Sequence, residues 1–172
     1  MLNRPLADEF GGHFGNYIGL VQTDDVLAQF ESNSSLLQAL FSGMSEEQAL
    51  FRYAPGKWSL KEVLGHLADT ERVMSYRMMR IARGDTTPLP GFEQDDYIAA
   101  ANFDGFSVKQ LLSDCQAVRA ATISLASTIA PDAWLHKGTA SNTTMSARAF
   151  ACVIAGHELH HLNVVRDRYL QS

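Results

Sequence analysis

Apolar residues recur every three or four positions through four long stretches of the chain, and no stretch shows convincing strand alternation. The first follows Asp24-Asp25, which can cap a helix start. Val26, Phe30, Leu37, Leu40 and Phe41 make its apolar face, and Gly43 ends it. Asn33 falls inside that face, either pointing into a bundle or sitting in a bend around Ser32 to Ser35. The second stretch is the best bounded. Ser59-Leu60-Lys61-Glu62 reads as a capping box, in which hydroxyl and carboxylate satisfy free amides at the start. Leu60, Val63, Leu64, Leu67, Met74, Met78 and Ile81 then recur until Gly84. The third opens the same way with Ser107 and Gln110, carries Val108, Leu111, Leu112, Cys115, Val118, Leu125 and Ile129, and stops at Ala130-Pro131. The fourth starts near Ser146 and runs almost to the C-terminus.

Four such stretches predict an all-α protein, a four-helix bundle, over a single domain 1–172. The connections are unequal. Residues 85–106, with Pro88, Pro90, Gly91 and Gly105, read as mostly non-helical apart from a turn around Asp96 to Ala101. About twenty residues exceed what an antiparallel hairpin needs but span a helix of ~36 Å, so helices two and three are expected to be parallel. The topology expected is up-down-down-up with a long crossover between helices two and three. Residues 1–22 hold Gly11, Gly12, Gly15 and Gly19 between aromatics and read as an extended arm wrapping the bundle.

Bulk properties narrow the function without naming it. A hydrophobic fraction of 46% and a charged fraction of 19% over 172 residues describe an ordinary globule with a sizeable core. The formal net charge of −5 offers no general attraction to nucleic acid or to an anionic membrane. Arg77, Arg80 and Arg83 read as the solvated side of a helix. No apolar run approaches the ~18 residues a membrane span needs, and no basic-then-apolar leader opens the chain, so a cytoplasmic location is expected. Cys115 and Cys152 sit in apolar stripes outside any C-x-x-C pair, which argues for burial rather than a disulfide or thiolate ligation.

The chemistry concentrates in Gly156-His157-Glu158-Leu159-His160-His161. His157 and His161 are four apart, so on a helix they point the same way, one turn apart. They lie in the middle of a face made by Phe150, Val153, Ile154, Val164 and Val165. Imidazoles placed there need partners, because an unpaired buried polar group costs about 1–3 kcal/mol. A shared divalent transition metal is one solution; hydrogen bonds to side chains or buried water are the other. His13 and His136 fall in expected loops, and His160 points roughly 60° or more away from the pair. His66 lies on the shoulder of the second helix's stripe. If helices two and four are antiparallel, it sits within about one turn of the pair. His66 is the expected third ligand, since a reactive metal site usually keeps three protein ligands and one open position.

The run Gly56-Lys57-Trp58-Ser59-Leu60-Lys61-Glu62-Val63-Leu64-Gly65-His66-Leu67-Ala68-Asp69, taken with Gly156 to His161, resembles the DinB-like superfamily. The connection from Arg83-Gly84-Asp85 to Gly91-Phe92-Glu93-Gln94-Asp95-Asp96-Tyr97 resembles that family's second major branch. The resemblance implies a bundle with a long crossover, a divalent metal on His66, His157 and His161, and homodimers. It also implies chemistry of a kind found in relatives that use low-molecular-weight thiols: here a thiol-dependent S-transferase acting on a small electrophile. Three imidazoles suit zinc, nickel or iron.

Two further readings stand beside it. His157-Glu158-Leu159-His160-His161 matches H-E-x-x-H, in which Glu serves as general base of a hydrolase. Glu158 lies about 80° from the ligand pair on the helical wheel, however, which suits an ion pair or a ligand-orienting role better. A small ester or amide is a more plausible substrate for hydrolysis than a peptide. The last reading is a non-catalytic metal-binding dimerisation module, which a fourth, carboxylate ligand would support. Glu71, near the middle of the second helix's stripe, is a candidate for that ligand, for a general base, or for the partner of a buried arginine such as Arg168. His160 is either a pocket-lining proton shuttle or a partly exposed bystander. Trp58 reads as a hydrophobic staple, and Asp69 as an exposed carboxylate rather than an imidazole-orienting one.

Overall fold

A computed structural model describes residues 1–170 of the chain. The helices are α1 (Phe14–Leu20), α2 (Val26–Phe41), α3 (Glu46–Ala49), α4 (Leu60–Ala82), α5 (Gln94–Ala101), α6 (Val108–Ser127) and α7 (Ala147–Val164). A short antiparallel hairpin, β1 (Lys137–Ala140) and β2 (Thr143–Ser146), lies between the last two. The four long helices start where side-chain caps dictate. Asp25 accepts from the Leu27 amide, Ser146 accepts from Ala149, and Ser59 and Ser107 form capping boxes with Glu62 and Gln110. After α4 the chain turns at Gly84, whose φ of +80° a side chain would strain.

Directions follow from which residues meet. Cys115 lies against the Leu64 carbonyl (3.3 Å), and Arg83 donates to the Thr128 carbonyl (3.1 Å), so α4 and α6 run parallel. The Tyr169 hydroxyl donates to the Trp58 carbonyl (2.7 Å), and His66 meets His157 a few turns on, so α4 and α7 are antiparallel. Asn33 donates to the Ala155 carbonyl (2.8 Å), and Leu37 and Phe41 share a core cluster with Leu162 and Val165, so α2 runs with α7. The result is the expected up-down-down-up bundle.

The core is two apolar clusters, one around Phe30, Met78 and Phe150 and the other around Leu37, Leu64, Leu112 and Val165. Between them lies a buried polar layer that includes Asn33, His66, Glu71, Arg119, His157 and Glu158. No helix among the described residues is long and apolar enough to cross a membrane. Both cysteines are buried and unpaired, as expected.

Four expectations need correction. The N-terminal segment is not simply an extended arm: it makes a 3-10 turn (Ala7–Glu9) and then α1. Phe14 and Ile18, one turn apart, bury in the Phe150 cluster, so tertiary contact overrides the weak propensity of a glycine-rich segment. Glu9 latches the turn to the start of α7 through Ser146 (2.7 Å) and Arg148. Burial disfavours its charge, but Arg148, the Leu6 amide and Ser146 prevail and hold the carboxyl at about 2. The usual value being 4.5, this latch contributes fully above that pH and is lost as pH falls through about 2. Second, strands exist. The hairpin turns through Ser141 and Asn142, both at positive φ, a polar turn lacking the Asn-Gly pair that marks such turns in sequence. Third, Arg77 is not solvated: it is 2% exposed, and its Nη2 donates to the Pro90 carbonyl (2.7 Å) and to Ser141 Oγ (3.1 Å). The crossover also contains more helix than expected, α5 beginning at Gln94.

α1 and α7 approach so closely that a Cβ on Gly156 would come within 2.0 Å of the Tyr17 carbonyl oxygen. Gly156→Ala is therefore expected to displace α1 and destabilise the protein by about 1–3 kcal/mol in urea unfolding. Gly19→Ala, whose Cβ would meet nothing within 4 Å, should be neutral or mildly stabilising.

Candidate metal centre

His66 projects from α4 two turns after the Ser59 cap, and His157 and His161 project from α7, whose start Ser146 fixes. Each ring offers one nitrogen, and these three atoms all lie within 4.8 Å of one another. His66 Nε2 and His157 Nε2 are 3.0 Å apart. The ring centroids form a near-equilateral triangle of 4.9, 4.7 and 4.6 Å. Thr70 Oγ1, one turn along α4, lies 3.4 Å from His66 Nδ1. A proton on Nδ1 directed at that hydroxyl leaves the Nε2 lone pair facing the other two rings.

All three imidazoles are held neutral. Burial, and then the nearby His160, push His66 down to about 4. His157, lowered by burial and then by His161, His66 and His160, falls well below the ordinary histidine value. His161 falls likewise, through burial first and His66 and His160 next. Neutral rings keep the lone pairs that a cation needs. Among the described residues the cluster contains these three groups and no carboxylate or thiol.

The carboxylates considered as ligands or bases are engaged elsewhere. Arg119 of α6 donates through Nε and Nη2 to both oxygens of Glu71 (2.9 and 2.8 Å) and through Nη2 to Glu158 (2.6 Å). Its Nη1 reaches the Phe30 carbonyl (2.9 Å) and Ser34 Oγ (3.3 Å), and the guanidinium lies over the Phe30 ring. Burial opposes the charge of Arg119, but the two carboxylates raise its pKa nonetheless. Burial raises the Glu158 carboxyl too, with Arg119 countering it. The arginine beside Glu71 is thus Arg119 and not Arg168, which is exposed on the turn that follows α7. Glu158 faces this network, so the H-E-x-x-H pattern does not bring its glutamate to the histidine cluster.

The other residues singled out in the sequence fall as follows. Trp58 does more than staple the helix: its ring stacks on His161 (6.2 Å between centroids, 17° between planes) and lies 4.6 Å from His66. His160 is exposed, edge-on to Tyr17 and His161. Asp69 pairs with Arg72 (3.3 Å), not with an imidazole. His136 binds the Ala82 carbonyl (3.1 Å), remote from the cluster.

Two cavities flank the histidines. One, of about 320 Å³, is lined by Trp58, His160 and His161. The other, of about 250 Å³, is lined by His13, Tyr17, Thr70, Arg77 and His157. Gln94 and Asp95, from the start of α5, border both, so the crossover forms a wall common to the two. A larger cavity of about 490 Å³ between α2 and Tyr169 has no His, Asp, Glu, Lys or Arg in its lining and lies away from this chemistry. Tyr17 and Arg77 were missed in the sequence. Only Gly156, whose missing side chain admits α1, hinted that something lies against the histidine helix.

A four-helix bundle with a crossover and three convergent imidazoles defines a class of helical proteins with a candidate metal site. The chain belongs to the DinB superfamily, whose sequence model matches residues 29–165. A candidate metal-dependent hydrolase of Oceanobacillus iheyensis, OB0413, is 22% identical over 141 residues, 79% of either chain. Among solved structures, YfiT from Bacillus subtilis, described as a probable metal-dependent hydrolase with an unusual four-helix bundle topology, matches with a TM-score of 0.72. Its identity is 15%, over 83% of this chain and 82% of YfiT. At that identity the likeness speaks for the fold alone.

Removing the cation from the polar layer tests its energetics. Arg119→Leu leaves two carboxylates buried without a partner and is expected to destabilise the protein by about 3–5 kcal/mol. Chemical unfolding at neutral pH measures this, and Arg119→Lys should recover part of the loss.

Proposed function

We propose that this protein is a divalent-metal-dependent hydrolase of small molecules, with His66, His157 and His161 as the metal ligands. The observation that carries the reading is the convergence of three imidazoles from two helices, with His157 and His161 lining cavities. Nitrogens bound to one cation at ~2.1 Å sit roughly 3.0–3.4 Å from each other, and the 3.0 Å between His66 and His157 fits that spacing. An all-imidazole set suits zinc, nickel or iron(II). A cation held there would act as a Lewis acid on a carbonyl and supply a nucleophile at neutral pH.

The chain's own residues do the rest. Thr70 orients the His66 ring, while Trp58 covers two of the imidazoles and limits water on that side. With Glu71 and Glu158 held by Arg119, no carboxylate among the described residues joins the three histidines, which favours a reactive site over a sealed structural one. Hydrolysis is preferred to thiol transfer because the relatives' descriptions name hydrolases.

The purified protein is expected to carry close to one divalent metal per chain by elemental analysis, and His157→Ala or His161→Ala should lose most of it. Activity on small esters or amides should vanish with a chelator, return with metal, and need no added thiol. A requirement for thiol would favour the transferase instead.

A further inference from the structure

Three cations are buried among the described residues: Lys61, Arg77 and Arg119. Lys61 pairs with Glu46 (2.7 Å), and Arg119 with two glutamates. Arg77 differs. Its hydrogen bonds go to a carbonyl, a hydroxyl and, through Nη1, the Met74 sulfur (3.6 Å), a weak acceptor. Phe92 packs against the guanidinium at 5.5 Å. All of these partners are neutral, and Nε has none among them. Burial works against this charge and lowers its pKa; the nearby Tyr97 works the other way. A buried charge without a counter-charge is costly to the folded state, and proteins normally pair it.

The place of Arg77 suggests what its missing partner is. It lines the cavity of about 250 Å³ whose lining also includes His157 and the aromatic Phe14, Tyr17 and Phe92. Glu93 and Asp95 are on the same lining, but both are exposed on the crossover and neither pairs with Arg77. We propose that this cavity binds the carboxylate of a small monoanionic substrate, with Arg77 as the group that receives it and the aromatic sides holding the attached apolar part. The proposal deepens the hydrolase reading and rests on it for the reaction, though not for binding. One guanidinium matches a single negative charge, and the exposed Glu93 and Asp95 on the same lining disfavour a phosphate dianion further. A purely structural Arg77, tying the crossover to the hairpin through Pro90 and Ser141, would need only neutral donors.

The test uses benzoate, its neutral isostere benzamide, and phenyl phosphate, titrated calorimetrically into chelator-treated full-length protein. The metal is left out because benzoate would otherwise bind it directly. Benzoate is expected to bind at least about tenfold more tightly than benzamide, and also more tightly than phenyl phosphate. Arg77→Gln should erase the preference for benzoate, and Arg77→Lys should restore part of it. In wild type, which needs no variant to fold, benzoate and not benzamide should shift the Arg77 Nε–H resonance. Equal binding of benzoate and benzamide, no binding of either, tighter phenyl phosphate, or an unmoved Arg77 resonance overturns the proposal. Loss of zinc binding with benzoate selectivity intact would sink only the metal reading, and the converse only this one.

Discussion

One guanidinium ties the bundle together. Arg119 reaches from α6 to Glu71 on α4, to Glu158 on α7 and to the Phe30 carbonyl and Ser34 on α2, so a single side chain bonds to each of the other three long helices. It does so in the polar layer that separates the two apolar clusters. Hydrophobic burial is non-directional and would tolerate one helix sliding a turn along another. A buried cation between two carboxylates tolerates no such slip, because any other register leaves a charge without its partner.

That constraint bears directly on the histidines. Glu71 follows Thr70, the residue beside His66, and Glu158 follows His157. Fixing the two glutamates against Arg119 fixes the height of α4 relative to α7, and with it the meeting of His66 with His157 and His161. On α7, adjacent residues thus serve different sides: Glu158 meets the arginine, and His157 lines a cavity. Gly156 adds the remaining wall by letting α1 lie directly on the histidine helix and bring Tyr17 to within 5.2 Å of the His157 ring.

Much of this was legible in the residues alone. Capping boxes at Ser59 and Ser107 and the stops at Gly43 and Gly84 located the long helices, because local hydrogen bonds decide where helices begin. The length of the crossover predicted parallel α4 and α6, and level-matching on antiparallel rods brought His66 to the pair on α7. What was not legible depended on tertiary partners. A seven-residue, glycine-bearing α1 has too little periodicity to be seen, and a hairpin of two four-residue strands with a Ser-Asn turn is too short to show strand alternation. Glu71 was recognised as an interior carboxylate. Nothing in a helical pattern distinguishes Arg119 from Arg168 as its partner, and Arg77 looked like a surface residue until the crossover folded over it.

The account centres on one cation shared by imidazoles from two helices. X-ray absorption of the zinc-loaded protein tests it most directly. Three imidazoles predict a first shell of nitrogen and oxygen at about 2.0–2.1 Å with the outer-shell scattering of histidine rings, weakened in His66→Ala. A spectrum unchanged in His66→Ala, or one dominated by sulfur at about 2.3 Å, would contradict it.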